Sequence, residues 1–113
     1  MKRLVAAALA AAACLTGAAA ASGSAPKKVK VGDDYYGPTH LTIKPGTKVK
    51  WTWLADNGDS HDVKLTKAPR GVKKFHSASA ATDYTFSRTL TKPGTYKIVC
   101  TLHQDMTMTI KVR

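Results

Sequence analysis

The segment YKIVCTLHQDMTMTIKVR, residues 96–113, carries two patterns at once. At its start Tyr96, Ile98 and Cys100 alternate with Lys97 and Val99, and at its end Ile110 and Val112 alternate with Thr109 and Lys111. Alternation at period two marks strands with one buried face. Between the two strands Cys100, His103 and Met106 stand three residues apart, and Met108 follows. A strand therefore ends on an inward-facing cysteine, a short loop offers soft and borderline donor atoms, and a second strand begins.

The same period extends upstream. Val29 and Val31, Leu41 and Ile43, Val49, Trp51 and Trp53, Val63 and Leu65, and Tyr84 and Phe86 each alternate with Lys, Thr, Asp or Ser. Two KPG triplets (44–46 and 92–94) and the polar run LADNGDS (54–60) read as turns and a loop. Residues 66–82 show no strand pattern and read as a long excursion with a helical turn near 77–81. About seven to eight short strands within residues 28–113 predict an all-β fold, a β-sandwich or barrel.

The N-terminus has a different character. Met1-Lys2-Arg3 precedes an apolar run, Leu4–Leu15, and a small-residue tract, Gly17–Ala25. That is the layout of a secretory signal peptide, here residues 1–21, with cleavage after Ala21. The run falls short of the about 20 apolar residues needed to span a bilayer. Residues 22–27 form a short linker and 28–113 the domain. The expected destination is the periplasm or the cell exterior. The stretch AAAC (11–14) offers an alternative, a lipid anchor on Cys14, but it has Ala where a lipoprotein signal usually has Leu.

Cleavage changes the cysteine arithmetic. The chain has two cysteines, and removal of Cys14 leaves Cys100 without an internal partner. In an oxidising compartment such a thiol is an intermolecular bridge, a buried inert group or a ligand. Cleavage also removes Lys2 and Arg3, so the net charge falls from +11 to +9. All seven acids are Asp. Most lysines sit at outward strand positions or in turns and read as a solvated surface. The net charge favours a partner with an acidic docking surface. No clustered aromatic and basic platform points to nucleic acid.

His61, Cys100, His103 and a methionine make a coherent metal set. Two imidazoles and a thiolate suit copper in both redox states, with a thioether as a weak fourth donor. Zinc is a poorer match, since methionine is not one of its usual ligands. Cys–His nucleophilic catalysis lacks an orienting third group and any sign of a substrate cleft, so no enzymatic activity is expected.

The stretches GPTHLTIKPGTKVKWTW, SHDV and YKIVCTLHQDM together resemble the cupredoxins, specifically the small plastocyanin–amicyanin type. The resemblance spans residues 28–113 and implies an eight-stranded Greek-key β-sandwich with one mononuclear type 1 copper. It assigns His61, Cys100 and His103 as ligands and a nearby methionine as the axial donor. Asp62 falls where the family places a residue that hydrogen-bonds around the cysteine sulfur. The amicyanin spacing selects Met106 and the plastocyanin spacing Met108. A last strand long enough to pair favours Met106 as ligand, with Met108 as core. His40 and His76 read as surface residues. The implied role is a monomeric single-electron carrier between redox partners, with the His103 edge as electron port and Leu102 beside it. A copper store, sensor or chaperone is the alternative.

Overall fold

A computed structural model describes residues 25–113; the signal peptide, the linker's first residues and Cys14 lie outside the described residues. Eight strands form two four-stranded sheets and, among the described residues, there is no helix. The strands are β1 (Lys27–Gly32), β2 (Tyr35–Gly37), β3 (His40–Ile43), β4 (Thr47–Trp53), β5 (Lys64–Lys67), β6 (Thr85–Leu90), β7 (Gly94–Val99) and β8 (Thr107–Val112). One sheet has the order β2-β1-β4-β6 and the other β3-β8-β7-β5. The pairs β1–β4 and β3–β8 are parallel and the rest antiparallel. This is the two-sheet sandwich expected from the alternation.

The inward residues are those that the period-two reading selects. Val29, Val31, Val49, Trp51, Trp53, Val63, Leu65, Tyr96, Ile98, Ile110 and Val112 are all buried. Burying each large apolar side chain is worth about 1.5–3 kcal/mol, so the core face fixes the register. The outward lysines of β1, β4 and β7 cover the solvent faces. The first KPG forms its turn, with Thr47 N–H donating to Lys44 O at 3.2 Å, and the second bends the chain into β7. Gly94 has φ +143°, and a Cβ there would run into the ring of Pro69.

Two local expectations fail. β2 has no counterpart in the sequence reading, because three residues between two turns offer too little alternation to detect. The helical turn near 77–81 is absent. That segment instead runs beside residues 61–64, through antiparallel bridges His61–Ala80 and Lys64–His76. The Ser77 hydroxyl accepts the Val63 N–H at 2.8 Å, and Ser77 N–H donates to Val63 O at 2.8 Å. Non-local pairing outweighs the helical leaning of a Ser/Ala-rich stretch.

Strand direction brings four loops to one pole: 33–34, 54–63, 77–84 and 100–106. Every Asp of the chain lies in these loops, and none of the loops holds a Lys or Arg.

Candidate metal centre

Cys100 is the first residue after β7, and its N–H donates to Met106 O at 2.9 Å. Met106 N–H in turn donates to His103 O at 3.3 Å. These two bonds close the 100–106 loop. Thr107 pairs with Val99 and Met108 with Ile98, so Met106 stands one step further on, across from Cys100. Residues directly opposite in an antiparallel pair project to the same face. Cys100 is buried and free, and Met106 and Met108 are both buried.

His61 comes from the loop after β4. Its carbonyl accepts the Trp53 indole N–H at 3.0 Å and the Ala80 N–H at 3.1 Å, and its side chain is wholly buried. His61 N–H donates in return to Ala80 O at 2.9 Å, so a β-type pair and an indole fix the backbone beneath the imidazole.

His61, Cys100 and His103 converge, their donor atoms all within 4.8 Å of one another. The two Nδ1 atoms are 3.2 Å apart, and Cys100 Sγ is 3.7 Å from His103 Nδ1. Such separations let one ion reach all three at ordinary bond lengths of about 2.0–2.3 Å. The opposite ring edges face carboxylates. His61 Nε2 lies 2.9 Å from Asp33 Oδ1, and His103 Nε2 lies 3.2 Å from Asp34 Oδ1. An ionised carboxylate only accepts, so each Nε2 carries the hydrogen and each Nδ1 lone pair points inward. The donor set is oriented by the protein itself.

Asp33 is anchored as well. The backbone N–H of Gly58, the His61 ring and the backbone N–H of Asp59 bring its carboxyl down to about 2. Asp62 has a different task. Its Oδ1 accepts Thr101 N–H at 2.7 Å, and its Oδ2 accepts the Thr101 hydroxyl at 2.6 Å and His76 Nε2 at 2.9 Å. Burial pushes this carboxyl up, but the hydrogen bonds from His76 and Thr101 outweigh it and hold it below the ordinary value. A carboxylate has no hydrogen to offer a thiolate. Asp62 therefore steadies the residue after Cys100 rather than donating to the sulfur. Tyr36 closes the underside, its hydroxyl donating to Asp62 O at 2.5 Å; burial first, then the Cys100 and Asp62 charges, push this phenol up.

The two methionines differ in what their surroundings leave free. Trp51 Nε1 donates to Met108 Sδ at 3.4 Å, deep in the core. Met106, opposite Cys100, is the methionine on the site's side of the ladder.

Residues 25–113 match the family described as copper binding proteins, plastocyanin/azurin family. The chain belongs to that family. Among solved structures, a reduced Cu(I) form of an amicyanin variant is 26% identical, with a TM-score of 0.66 over 85% of this chain and 88% of that one. A copper-containing nitrite reductase from Thermus scotoductus SA-01 is 25% identical, with a TM-score of 0.67 over 82% of this chain. The chain spans only 23% of that enzyme's length. A purple cupredoxin from Nitrosopumilus maritimus shares the fold, with a TM-score of 0.64 at 22% identity over 77% of this chain and 99% of that one. Family and donor set agree on one type 1 copper as the cofactor.

Sequence reasoning missed Asp33, Thr101 and the partner of His76. His76 is at the surface, as expected, yet it reaches the buried Asp62 carboxylate. His40 is exposed, as expected, and its Nδ1 lies 3.2 Å from Thr39 Oγ1. A usable signal was the confinement of all acids to turn-rich segments, where carboxylates serve as acceptors for loop N–H groups.

Proposed function

We propose that the chain is an exported, monomeric single-electron carrier, not an enzyme. His61, Cys100 and His103 would hold the copper through Nδ1, Sγ and Nδ1, with Met106 as a weak fourth donor. The observation that carries this reading is the pair of inward Nδ1 atoms beside one buried thiol, each imidazole locked from behind by an aspartate. Bound copper supplies a centre that accepts and releases one electron. The chain's part is to hold the donors in one arrangement for both redox states, so that little rearranges on transfer. Cys100 is itself buried. The His103 side chain is a quarter exposed (24%) and lies beside the half-exposed Leu102 (50%), which supports the His103 edge as an electron port. The surplus of lysine supports a redox partner with an acidic docking surface, bound more weakly as salt rises.

Reconstituting residues 22–113 with Cu(II) and recording the visible spectrum tests the reading. An intense thiolate-to-copper band near ~600 nm is expected of a His₂Cys site, and Cys100→Ser should abolish it while the strands persist in the far-ultraviolet dichroism. No such band in the wild-type chain overturns the proposal.

A further inference from the structure

An acidic partner meets the wrong charge at the His103 pole, whose four loops hold every Asp of the chain and no Lys or Arg. It must be received elsewhere, and the molecule has a place for it. A cleft of about 670 Å³ opens between the 71–76 segment and the edge strand β6. Lys73, Lys74, Arg88 and Lys92 line it, and no lining residue is acidic. Among the described residues, every ion pair joins a His to an Asp, so these four cations face the cleft without a carboxylate.

The cleft is also shaped. Arg88 lies over the Phe86 ring at 4.3 Å from its centroid and over Phe75 at 5.6 Å. Phe75 and Phe86 pack on each other and on the buried Trp51. The guanidinium is thereby held in place while it spends one N–H on Ser87 O. A planar cation fixed on aromatic rings is suited to bidentate capture of a carboxylate. Lys92 is held by Arg70 O.

The last observation ties the cleft to the metal centre. His76 forms part of its wall. His76 Nε2 bonds Asp62 Oδ2 at 2.9 Å, and Asp62 Oδ1 accepts Thr101 N–H at 2.7 Å. Thr101 is bonded directly to Cys100. Two hydrogen bonds therefore join the cleft wall to the backbone of the thiolate ligand.

We infer that this cleft is a docking site, separate from the His103 edge, for an acidic face of a one-electron redox protein, with His76, Asp62 and Thr101 linking the docked surface to Cys100. The exchange passes one electron between the two proteins; no bond is made or broken and no proton moves. The role of the site rests on the carrier reading above, while its chemistry, recognition of clustered carboxylates, does not.

The test uses the Cu(I)-loaded protein and a hexaglutamate peptide, followed by amide chemical shifts. Shifts are expected at residues 71–76 and 88–92 and, through the relay, at Thr101. The triple variant K73Q/K74Q/K92Q should weaken binding at least about tenfold, and K28Q/K30Q/K111Q, with the same loss of charge on the outer strand faces, less than about threefold. Equal weakening by the two variants, or shifts scattered over all lysine-bearing strands, overturns the inference. So does full displacement of the peptide by an equal concentration of inorganic phosphate, which would mark a small-anion site. Copper uptake, read separately from the visible band, reports on the carrier reading, so failure of one does not masquerade as failure of the other.

Discussion

The loops of the metal pole carry all seven aspartates and no cation, while the strands and turns of the body carry every Lys and Arg of residues 25–113. The two charge sets are also used differently. At the pole the carboxylates are structural acceptors: Asp33 takes the N–H groups of Gly58 and Asp59 and faces the His61 ring, and Asp62 takes Thr101 twice and His76 once. On the body the cations largely cover sheet faces and meet no carboxylate. The contrast teaches that net charge misdescribes this molecule. A formal +9 suggests attraction of anions everywhere, whereas the surface near His103 is acidic and the attraction belongs to the body. It also separates two kinds of polar group, those that build the site and those that present it to a partner.

The sharpest way to break that contrast is to remove a building carboxylate. Asp62→Ala leaves the partly buried Thr101 N–H and hydroxyl and the His76 ring without their acceptor. A buried donor left unpaired costs about 1–3 kcal/mol, more beside a charge, so we expect a loss of about 2–3 kcal/mol in urea unfolding. His76→Ala removes only a half-exposed partner and should cost about 1 kcal/mol or less. Equal losses in the two variants would mean that Asp62 serves His76 rather than the ligand loop.

The methionines give the next largest effect and separate site from core within a single strand pair. Met108→Leu keeps the volume but deprives the buried Trp51 indole of its acceptor, for an expected cost of about 1–2 kcal/mol with an unchanged visible band. Met106→Leu is near-neutral for packing, within about 1.5 kcal/mol, yet should shift the band and the reduction potential. The reverse pattern would exchange the two roles.

How far the sequence could be read follows from the range of the interactions. Period-two alternation exposed seven of the eight strands, since the signal is local and Lys or Thr stands between apolar residues almost everywhere. β2 escaped because Tyr35–Gly37 is too short to alternate. The segment 77–81 was misread because its Ser/Ala composition leans locally one way while His61, Val63 and Lys64 pull it into β-type pairing. His61, Cys100 and His103, whose donor atoms the fold brings within 4.8 Å of one another, were singled out because a chain read as exported, with one cysteine left, needs a reason for it. Asp33 and His76 were not, because they act across 28 and 14 residues on His61 and Asp62, and no local pattern encodes such a contact.

The smallest effect concerns pH and tests whether the pole's acids are built in or merely present. Asp33 titrates at about 2, below its ordinary 3.8. A depressed carboxyl contributes stability that is whole above the unfolded value and is lost as pH falls through the folded one. Wild type should therefore exceed Asp33→Asn in urea midpoint at pH 5, and the gap should close between about pH 4 and about pH 2. The measurement uses metal-free protein in both arms. A gap that stays constant across this window would assign the effect to the shape of the Asn amide at the Gly58 and Asp59 N–H groups and not to the charge. The acids of the pole would then matter as hydrogen-bond acceptors alone, and the charge contrast between pole and body would rest on the lysines.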